Sequence, residues 1–206
     1  MLLFWVFWIA CFFVSDAAAI RKERIKLFVA ISSKFEYFHR RDMLRSSWLQ
    51  WVSVIKGALE GRNVISYRFF TDYPLNEEEW AQFKNESSVN QDIVLHPANL
   101  RRGHYLPAYL HRGIFHMGWA LEHFELDYYL RIDDDGFLCL HKLYHELSHG
   151  LYPTERFFMG KYHCVVDRGR ADENFMLLSQ DIAHMIIDHQ ATLRAVPATF
   201  AQNFQV

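Results

Sequence analysis

The sequence has little net charge and lacks a long basic block. Among its 206 residues, 22 Lys and Arg stand against 24 Asp and Glu, which gives a formal charge of −2 at pH 7. Because no run of Lys and Arg exceeds a short cluster, the electrostatic footprint of a nucleic-acid-binding protein is missing. Hydrophobic residues make up 51% of the chain, which is enough for one well-packed domain but not for two.

A hydrophobic run long enough to cross a membrane comfortably is also missing. The longest run, residues 2–14, has thirteen residues and fits the core of a secretory signal peptide better than a membrane span. The alanine triplet at 17–19 supplies a cleavage site, and Asp16 ends the apolar segment. The sequence therefore predicts a signal peptide at residues 1–19, with a membrane-associated signal anchor as the alternative. Either leader would direct the chain to the lumen of the endoplasmic reticulum or Golgi apparatus.

Cysteine is scarce. Three cysteines are present, and only Cys139 and Cys164 lie beyond the leader. These two permit one disulfide in an oxidising lumen, and two buried thiols are the alternative. The triplet at residues 85–87, Asn-Glu-Ser, is an N-glycosylation sequon in a polar, loop-like stretch and agrees with that compartment.

Strand-like and helix-like segments alternate along the rest of the chain. Short apolar runs predict strands at residues 25–32, 63–74, 92–97, 126–132 and 156–166. Apolar residues at helical spacing predict helices at residues 36–59, 76–88, 105–124 and 140–153. Residues 173–190 fit a strand followed by a helix, or one helix. The alternation predicts a single α/β domain, residues 20–206, with a mostly parallel central sheet flanked by helices.

Three consecutive aspartates, Asp133, Asp134 and Asp135, end the apolar run at residues 126–132. Ligands of open α/β sheets bind beyond the carboxyl ends of the strands, and crowded carboxylates are stabilised by a cation. Their hard oxygen ligands suit Mn²⁺ or Mg²⁺, which proteins often hold together with substrate phosphates. Strand alternation predicts that Asp133 and Asp135 share one side and that Asp134 faces the other. The stretch predicts a metal–diphosphate site, and a solvated acidic turn is the alternative.

The aspartates belong to an ordered set of motifs. The segment "FHRRDMLRSSW" comes first, then Trp119, "YYLRIDDDGFLCL" and "ENFMLLSQDIA", which contains Ser179 and Asp181. From residue 25 to about residue 187 the set resembles glycosyltransferase family 31, the β-1,3-galactosyltransferase-like hexosyltransferases. In the first segment the matching positions are Arg40, Arg41, Arg45, Ser47 and Trp48.

This resemblance implies a GT-A-like nucleotide-sugar-binding fold and an inverting, metal-dependent reaction. A hexose, galactose or N-acetylglucosamine, would pass from a UDP-sugar to a hydroxyl of a glycan or glycoprotein. The resemblance implies that Asp135 and Asp133 bind Mn²⁺ or Mg²⁺, and that Asp133 and Asp134 contact the nucleotide or the metal. The basic cluster is read either as a solvated helix face or as donors to the nucleotide phosphates; it consists of Arg40, Arg41 and Arg45.

One part of the family pattern is missing. The Glu-Asp-Val segment that carries the family's presumed catalytic base has no counterpart before Val206. Asp172 and Glu173 are the nearest acidic substitutes and are predicted as catalytic candidates. The domain at residues 20–206 is therefore expected to be incomplete at its C-terminus, and a non-catalytic sugar-nucleotide-binding relative is an alternative.

A second motif competes with the aspartates. His145, Glu146 and His149 satisfy H-E-x-x-H, in which two histidines one helical turn apart bind Zn²⁺ and the glutamate acts as a general base. This pattern would indicate a zinc metallopeptidase. The same segment also carries an apolar helical stripe, so a coincidental match on a core-facing helix is the favoured interpretation; the stripe comprises Leu140, Leu143, Tyr144 and Leu147.

Overall fold

The computed structural model describes residues 25–60, 62, 64–100, 106–165 and 168–194, without the side chains of residues 106–109, 161–173, 193 and 194. The strands are β1 (Leu27–Ser32), β2 (Ile65–Thr71), β3 (Ile93–Leu95), β4 (Tyr128–Asp133), β5 (Phe158–Val165) and β6 (Arg168–Ser179). The helices are α1 (Phe38–Arg45), α2 (Gln50–Ala58), α3 (Glu77–Asn90), α4 (Leu106–His123), α5 (Leu140–Ser148), α6 (Gln180–Asp188) and α7 (Gln190–Arg194).

The strands form one six-stranded sheet in the order β3-β2-β1-β4-β6-β5. β1 pairs in parallel with both β2 and β4, and β2 pairs in parallel with β3. β6 is antiparallel to both β4 and β5. The predicted α/β domain with a mostly parallel sheet is confirmed. The chain runs from β1 through β2 to β3 on one side and then returns to β4 on the other, so the strand order reverses between β1 and β4.

The two central strands are buried on both faces, as parallel strands covered by helices are. On one face Val29 and Leu130 pack against residues of α1, α2 and α5, including Leu44 and Leu147. On the other face Phe28, Ala30 and Tyr129 pack against Met117 and Ala120 of α4 and Ala183 of α6. Each large apolar side chain buried in this way stabilises the fold by about 1.5–3 kcal/mol. The core therefore fixes the ends of β1 and β4 relative to each other.

The helix predicted at residues 36–59 is wrong in one respect, because the structure divides it into α1 and α2 with a turn at residues 46–49. The hydroxyls of Ser46 and Ser47 donate to the carbonyl of Met43 at 3.1 and 2.6 Å, and such bonds compete with the helical backbone pattern. The turn also buries Trp48 and Leu49, which are 2% and 3% exposed. The segment at residues 173–190 is a strand followed by a helix, β6 and then α6.

Several other predictions can be compared with the structure. The stripe of α5 is buried as predicted, at Leu140, Leu143, Tyr144 and Leu147. The sequon at residues 85–87 lies on α3 and not in a loop. Cys139 is an exposed free cysteine, so neither the disulfide nor the buried thiol holds for it, and the side chain of Cys164 lies outside the described part. The leader at residues 1–19 also lies outside it. Among the described helices, none combines the length and apolarity needed to cross a bilayer.

Candidate functional site

A cleft of about 280 Å³ opens at the carboxyl ends of the strands. Ser32 and Ser33 enter it from the end of β1, and Asp133 from the end of β4. It therefore lies where the strand order reverses, the position at which open α/β sheets bind ligands. Its remaining walls are formed by Lys34, Tyr37, Arg40, Phe70, Asp72, His96, Arg112, Arg131, Asp134 and Asp135.

A tight turn brings the three aspartates into the cleft. The Asp134 amide donates to the carbonyl of Ser32 at 3.0 Å, and the Gly136 amide donates to the carbonyl of Asp133 at 3.0 Å. A Cβ at position 136 would stand 2.9 Å from the side chain of Ile132. Glycine is therefore the residue that permits the chain to turn this close to β4.

The three carboxylates differ in environment although all line one cleft. Side-chain exposure is 29% for Asp133, 7% for Asp134 and 70% for Asp135. Asp134 accepts a hydrogen bond from Ser33 Oγ at 2.7 Å and another from Arg40 Nη1 at 3.0 Å. The predicted opposition of Asp134 to its neighbours is wrong, because β4 ends at Asp133 and strand alternation does not extend into the turn.

Arg40 connects two of these carboxylates. Its Nη1 lies 3.0 Å from Asp134 Oδ1 and 4.0 Å from Asp135 Oδ2, and the hydrogen bond to Asp134 raises the pKa of Arg40. The guanidinium carbon lies 4.1 Å from the centre of the Tyr37 ring, a cation–π distance. Arg40 therefore remains charged and is held at the edge of the cleft, with 39% of its side chain exposed.

Arg41 and Arg45 do not line the cleft. Arg41, which is 2% exposed, donates from Nε and Nη2 to the two carboxylate oxygens of Glu86 at 2.8 and 2.7 Å. Arg45 donates from Nη2 to Glu86 at 2.9 Å and to Asp92 at 2.7 Å. The solvated-face interpretation is wrong for both arginines. Both form salt bridges with Glu86 of α3, and Arg45 also pairs with Asp92, which precedes β3. Of the three predicted phosphate donors, Arg40 is the one that faces the cleft.

The sequence interpretation missed Asp72, His96 and Arg112, which also line the cleft. Arg112 Nη2 donates to Asp72 Oδ1 at 2.9 Å, and His96 Nδ1 lies 3.3 Å from the same oxygen. His96 Nε2 lies 2.7 Å from His116 Nε2, so one ring must donate to the other. Asp72 and His96 directly follow β2 and β3, so the strand-end rule that singled out the aspartates could have found them.

Burial governs the ionisation of the two histidines. Burial lowers the pKa of His96, and the Asp72 carboxylate opposes that effect only partly. Burial lowers the pKa of the fully enclosed His116 further, with additional repulsion from His96, Arg131 and Arg112. With both rings neutral, the consistent arrangement has His96 donating from Nδ1 to Asp72 and accepting at Nε2 from His116.

The predicted catalytic candidates, Asp172 and Glu173, belong to β6, but their side chains lie outside the described residues. Pairing of β6 with β4 ends at Phe175 and Ile132, and the register of β6 against β5 shifts between the Gly160–Met176 and Tyr162–Ala171 pairs, so residues 172–173 lie in an irregular part of β6. Their catalytic role stays a prediction.

Ser179 ends β6 and pairs with Tyr128, at the end of β4 opposite the aspartates. There Ser179 Oγ donates to Asp181 at 2.5 Å, so this part of the motif set shapes the start of α6.

The H-E-x-x-H residues lie on α5 and the position that follows it. The rings of His145 and His149 stack with centroids 3.9 Å apart, and both are exposed. Glu146 accepts from Tyr152 OH at 3.2 Å and lies 4.0 Å from Lys142 Nζ. Within the described residues, no group of three or more His, Cys, Asp or Glu could enclose a metal ion. The two histidines thus lack the third protein ligand that a catalytic zinc site uses, as far as these residues extend.

Comparison with known proteins adds no family to this geometry. The chain matches no family model, and no curated protein matches it. The chemistry of the cleft must follow from its own side chains. Four carboxylates stand among four cationic groups in it, the latter being Lys34, Arg40, Arg112 and Arg131.

Proposed function

We propose that this chain is a GT-A-like hexosyltransferase that binds a UDP-sugar and a divalent cation in the cleft. The observation that carries the proposal is the exposed Asp135 carboxylate beside Arg40 and Asp133, where the strand order reverses between β1 and β4. A cation ligand and phosphate donors are the two chemistries that a nucleoside diphosphate requires. The likeness of the motif set to glycosyltransferase family 31 points the same way.

Asp135 and Asp133 fit a Mn²⁺ or Mg²⁺ ion. Both supply hard carboxylate oxygens, and Asp135, at 70% side-chain exposure, is open to a ligand. These ions need only one or two protein carboxylates when substrate phosphates complete the coordination, so a cluster of three protein ligands is not required. When bound, the ion would neutralise charge on the departing diphosphate.

The cationic side chains have a separate role. Arg40 is charged, partly exposed and adjacent to Asp135, so it can donate two parallel hydrogen bonds to a phosphate. Lys34 also lines the cleft and places a second cationic group beside the Tyr37 ring, with Nζ donating to the Tyr37 hydroxyl at 3.3 Å. Arg112 and Arg131 extend the positive wall towards Asp72 and Asp133. A diphosphate would therefore meet hydrogen-bond donors on the side of the cleft lined by Lys34 and Arg40, and the metal on the side lined by Asp133 and Asp135.

The rest of the proposed reaction rests on the family resemblance. The donor is a UDP-sugar carrying galactose or N-acetylglucosamine, the acceptor is a hydroxyl of a glycan or glycoprotein, and the transfer inverts the anomeric centre. Asp172 or Glu173 would accept the acceptor proton. The reaction would take place in the lumen of the endoplasmic reticulum or Golgi apparatus. A sugar-nucleotide-binding relative without turnover is the second candidate, because Asp172 and Glu173 are acidic substitutes that do not match the family's Glu-Asp-Val motif.

Calorimetric titration of UDP in the presence of Mn²⁺ tests the proposal. Wild-type protein should bind UDP only with Mn²⁺ or Mg²⁺, and Asp135→Ala should weaken binding at least about tenfold, or 1.4 kcal/mol. Asp188→Ala removes an exposed carboxylate at the end of α6 and is the matched control. Failure of wild-type protein to bind UDP with either ion would contradict the proposal. Stoichiometric zinc that disappears in His145→Ala would favour the metallopeptidase instead.

Release of UDP separates the enzyme from a binding relative. A panel of UDP-sugars with Mn²⁺ and simple glycoside acceptors should give acceptor-dependent UDP release with one donor above the others. Binding without release would leave the donor site intact and favour the non-catalytic relative. The same panel identifies the hexose.

A further inference from the structure

Asp134 is buried and joined by a continuous set of hydrogen bonds to α3. Ser33 Oγ donates to Asp134 Oδ2 at 2.7 Å and accepts from Arg41 Nη1 at 2.9 Å. Arg41 in turn donates to Glu86 through Nε and Nη2. We call Glu86, Arg41, Ser33 and Asp134 the Arg41 network. It connects the floor of the cleft to a helix that contributes no residue to the cleft lining.

We propose that Asp134 and Arg41 are positioning residues of the donor site and that neither contacts the donor. This inference rests on the proposed function. It reassigns Asp134, which the family resemblance places against the nucleotide or the metal, and Arg41, for which a phosphate-donor role was one of two interpretations. Both oxygens of Asp134 are already engaged, Oδ2 by Ser33 and Oδ1 by Arg40. A carboxylate engaged at both oxygens and only 7% exposed is poorly placed to add a metal or nucleotide contact.

The Arg41 network fixes the groups that do face the ligand. Arg41 also donates to the carbonyls of Lys34 and Phe35 at 2.7 and 3.0 Å, so one guanidinium holds the chain between β1 and α1. Asp134 holds Arg40 from the other side, and the backbone on either side of Asp134 carries the metal-binding candidates. Outer groups that orient metal ligands typically change metal affinity 10–100-fold when they are removed.

Only arginine can make this set of contacts. The planar guanidinium of Arg41 donates to Glu86, Ser33 and two backbone carbonyls at once. A lysine ammonium has three hydrogens on a single nitrogen and cannot reach all of these acceptors. Arg41→Lys should therefore keep the charge that neutralises Glu86 while losing the bond to Ser33. That loss leaves Asp134 with a less constrained partner and loosens Arg40 and Asp135.

Arg45 provides a matched control. It shares Glu86 with Arg41 but reaches Asp92 and Asp42 in place of Ser33. Arg45→Lys should therefore lower stability without disturbing Asp134. The control for Ser33→Ala is Ser46→Ala, which removes an exposed serine hydroxyl that donates to the carbonyl of Met43, outside the Arg41 network.

The experiment compares Mn²⁺-dependent UDP affinity with the urea midpoint in each variant. Arg41→Lys and Ser33→Ala should each weaken Mn²⁺-dependent UDP binding about tenfold or more. Arg45→Lys should lower the urea midpoint and leave that affinity within about twofold, and Ser46→Ala should also leave that affinity within about twofold. The double variant Arg41→Lys/Ser33→Ala should bind no more weakly than the weaker single variant, because both act through one contact.

Two outcomes would overturn the positioning role. Equal losses of affinity in Arg41→Lys and Arg45→Lys would show that any loosening of α1 has the same effect. If Arg41→Lys lowered the urea midpoint but left the UDP affinity unchanged, Arg41 would contribute to the stability of the fold and not to the positioning of the donor site. Wild-type protein that binds no UDP with either ion would instead overturn the proposed function, and this inference with it.

Discussion

Asp134 and Asp135 are chain neighbours with opposite environments, at 7% and 70% side-chain exposure. Asp134→Asn replaces one acceptor oxygen by an amide donor, which must then face either Ser33 or Arg40. We expect it to lower the free energy of unfolding by about 1–3 kcal/mol, the usual cost of a mismatched buried polar group. Asp135→Asn, at an exposed position, should change it by less than about 0.5 kcal/mol. Urea denaturation of both variants measures these changes. Equal losses of stability would contradict the conclusion that Asp134 is a buried structural carboxylate and Asp135 an exposed one.

The buried pair His96 and His116 predicts a pH dependence of stability. Burial lowers the pKa of both rings below the ordinary value of 6.5, so the unfolded chain binds protons that the folded chain does not. The contribution of the two neutral histidines to the free energy of unfolding should therefore be fully present above about pH 6.5. Below that pH it should fall by up to about 1.4 kcal/mol per pH unit for each histidine. The charged groups facing the pair are Asp72, Arg112 and Arg131.

Urea denaturation between pH 5 and pH 7.5 tests this dependence. His116→Gln should flatten the slope of unfolding free energy against pH, whatever it does to stability at pH 7.5. His141→Gln, a substitution of an exposed histidine, is the control. A slope that His116→Gln leaves unchanged would assign the acid sensitivity to other groups.

The sequence alone could identify the chemistry of single residues but not their division of roles. The aspartate triplet and the arginine cluster were both recognisable, because charge and strand ends are local properties. The burial of Asp134 depends on Ser33 and Arg40, which lie 101 and 94 positions away in the chain. Periodicity carries no information about such partners, so Asp134 was predicted to face away from its neighbours.

At the scale of elements, Glu86 joins α3 to α1 through both Arg41 and Arg45. Burial by itself would raise the pKa of Glu86, but its bonds to the two arginines outweigh burial and lower it. We expect Glu86→Gln to cost about 3–5 kcal/mol of unfolding free energy, because it leaves buried guanidinium charge without its partner. The wild-type contribution should be present above about pH 4.5 and be lost as the pH falls through the lowered pKa of Glu86.

The comparison for this prediction is Glu78→Gln, which removes a carboxylate from the exposed first turn of the same helix. Urea denaturation at pH 7 and pH 4 should show a large loss for Glu86→Gln at pH 7 that shrinks at pH 4. Glu78→Gln should change stability by a few tenths of a kcal/mol, the scale of a helix-dipole effect. Equal losses in the two variants would mean that α1 and α3 are held together by apolar packing.

Elements were predictable where burial dictates their pattern. β1 and β4 read as unbroken apolar runs because both faces are covered, and both strands were recovered. The break between α1 and α2 was missed because the apolar spacing continues through residues 46–49. Local serine hydroxyl bonds and the burial of Trp48 decide that break, and neither contributes to helical periodicity.

At the scale of the whole molecule, alternating strands and helices were enough to predict an α/β domain, but not the strand order. The antiparallel placement of β6 between β4 and β5 depends on long-range pairing that local patterns do not encode. β6 therefore lies beside β4, and Ser179 pairs with Tyr128 at the end of β4 opposite the aspartates. The cleft is lined by residues of β1, α1, β2, α4 and β4 and of the segments that directly follow the four parallel strands.

This arrangement predicts how ligand binding should protect the molecule. At 100 times the Kd, Mn²⁺ with UDP should stabilise the fold by about 2.7 kcal/mol.

Amide exchange at short times, which reports local opening, should slow at residues 32–37 and 133–136 together, since both segments line or close the cleft. Exchange in α6 should be unaffected at those times, because α6 follows Ser179 at the opposite edge of the sheet. Protection confined to α5, beside His145 and His149, would instead place the ligand on the H-E-x-x-H helix and contradict the cleft.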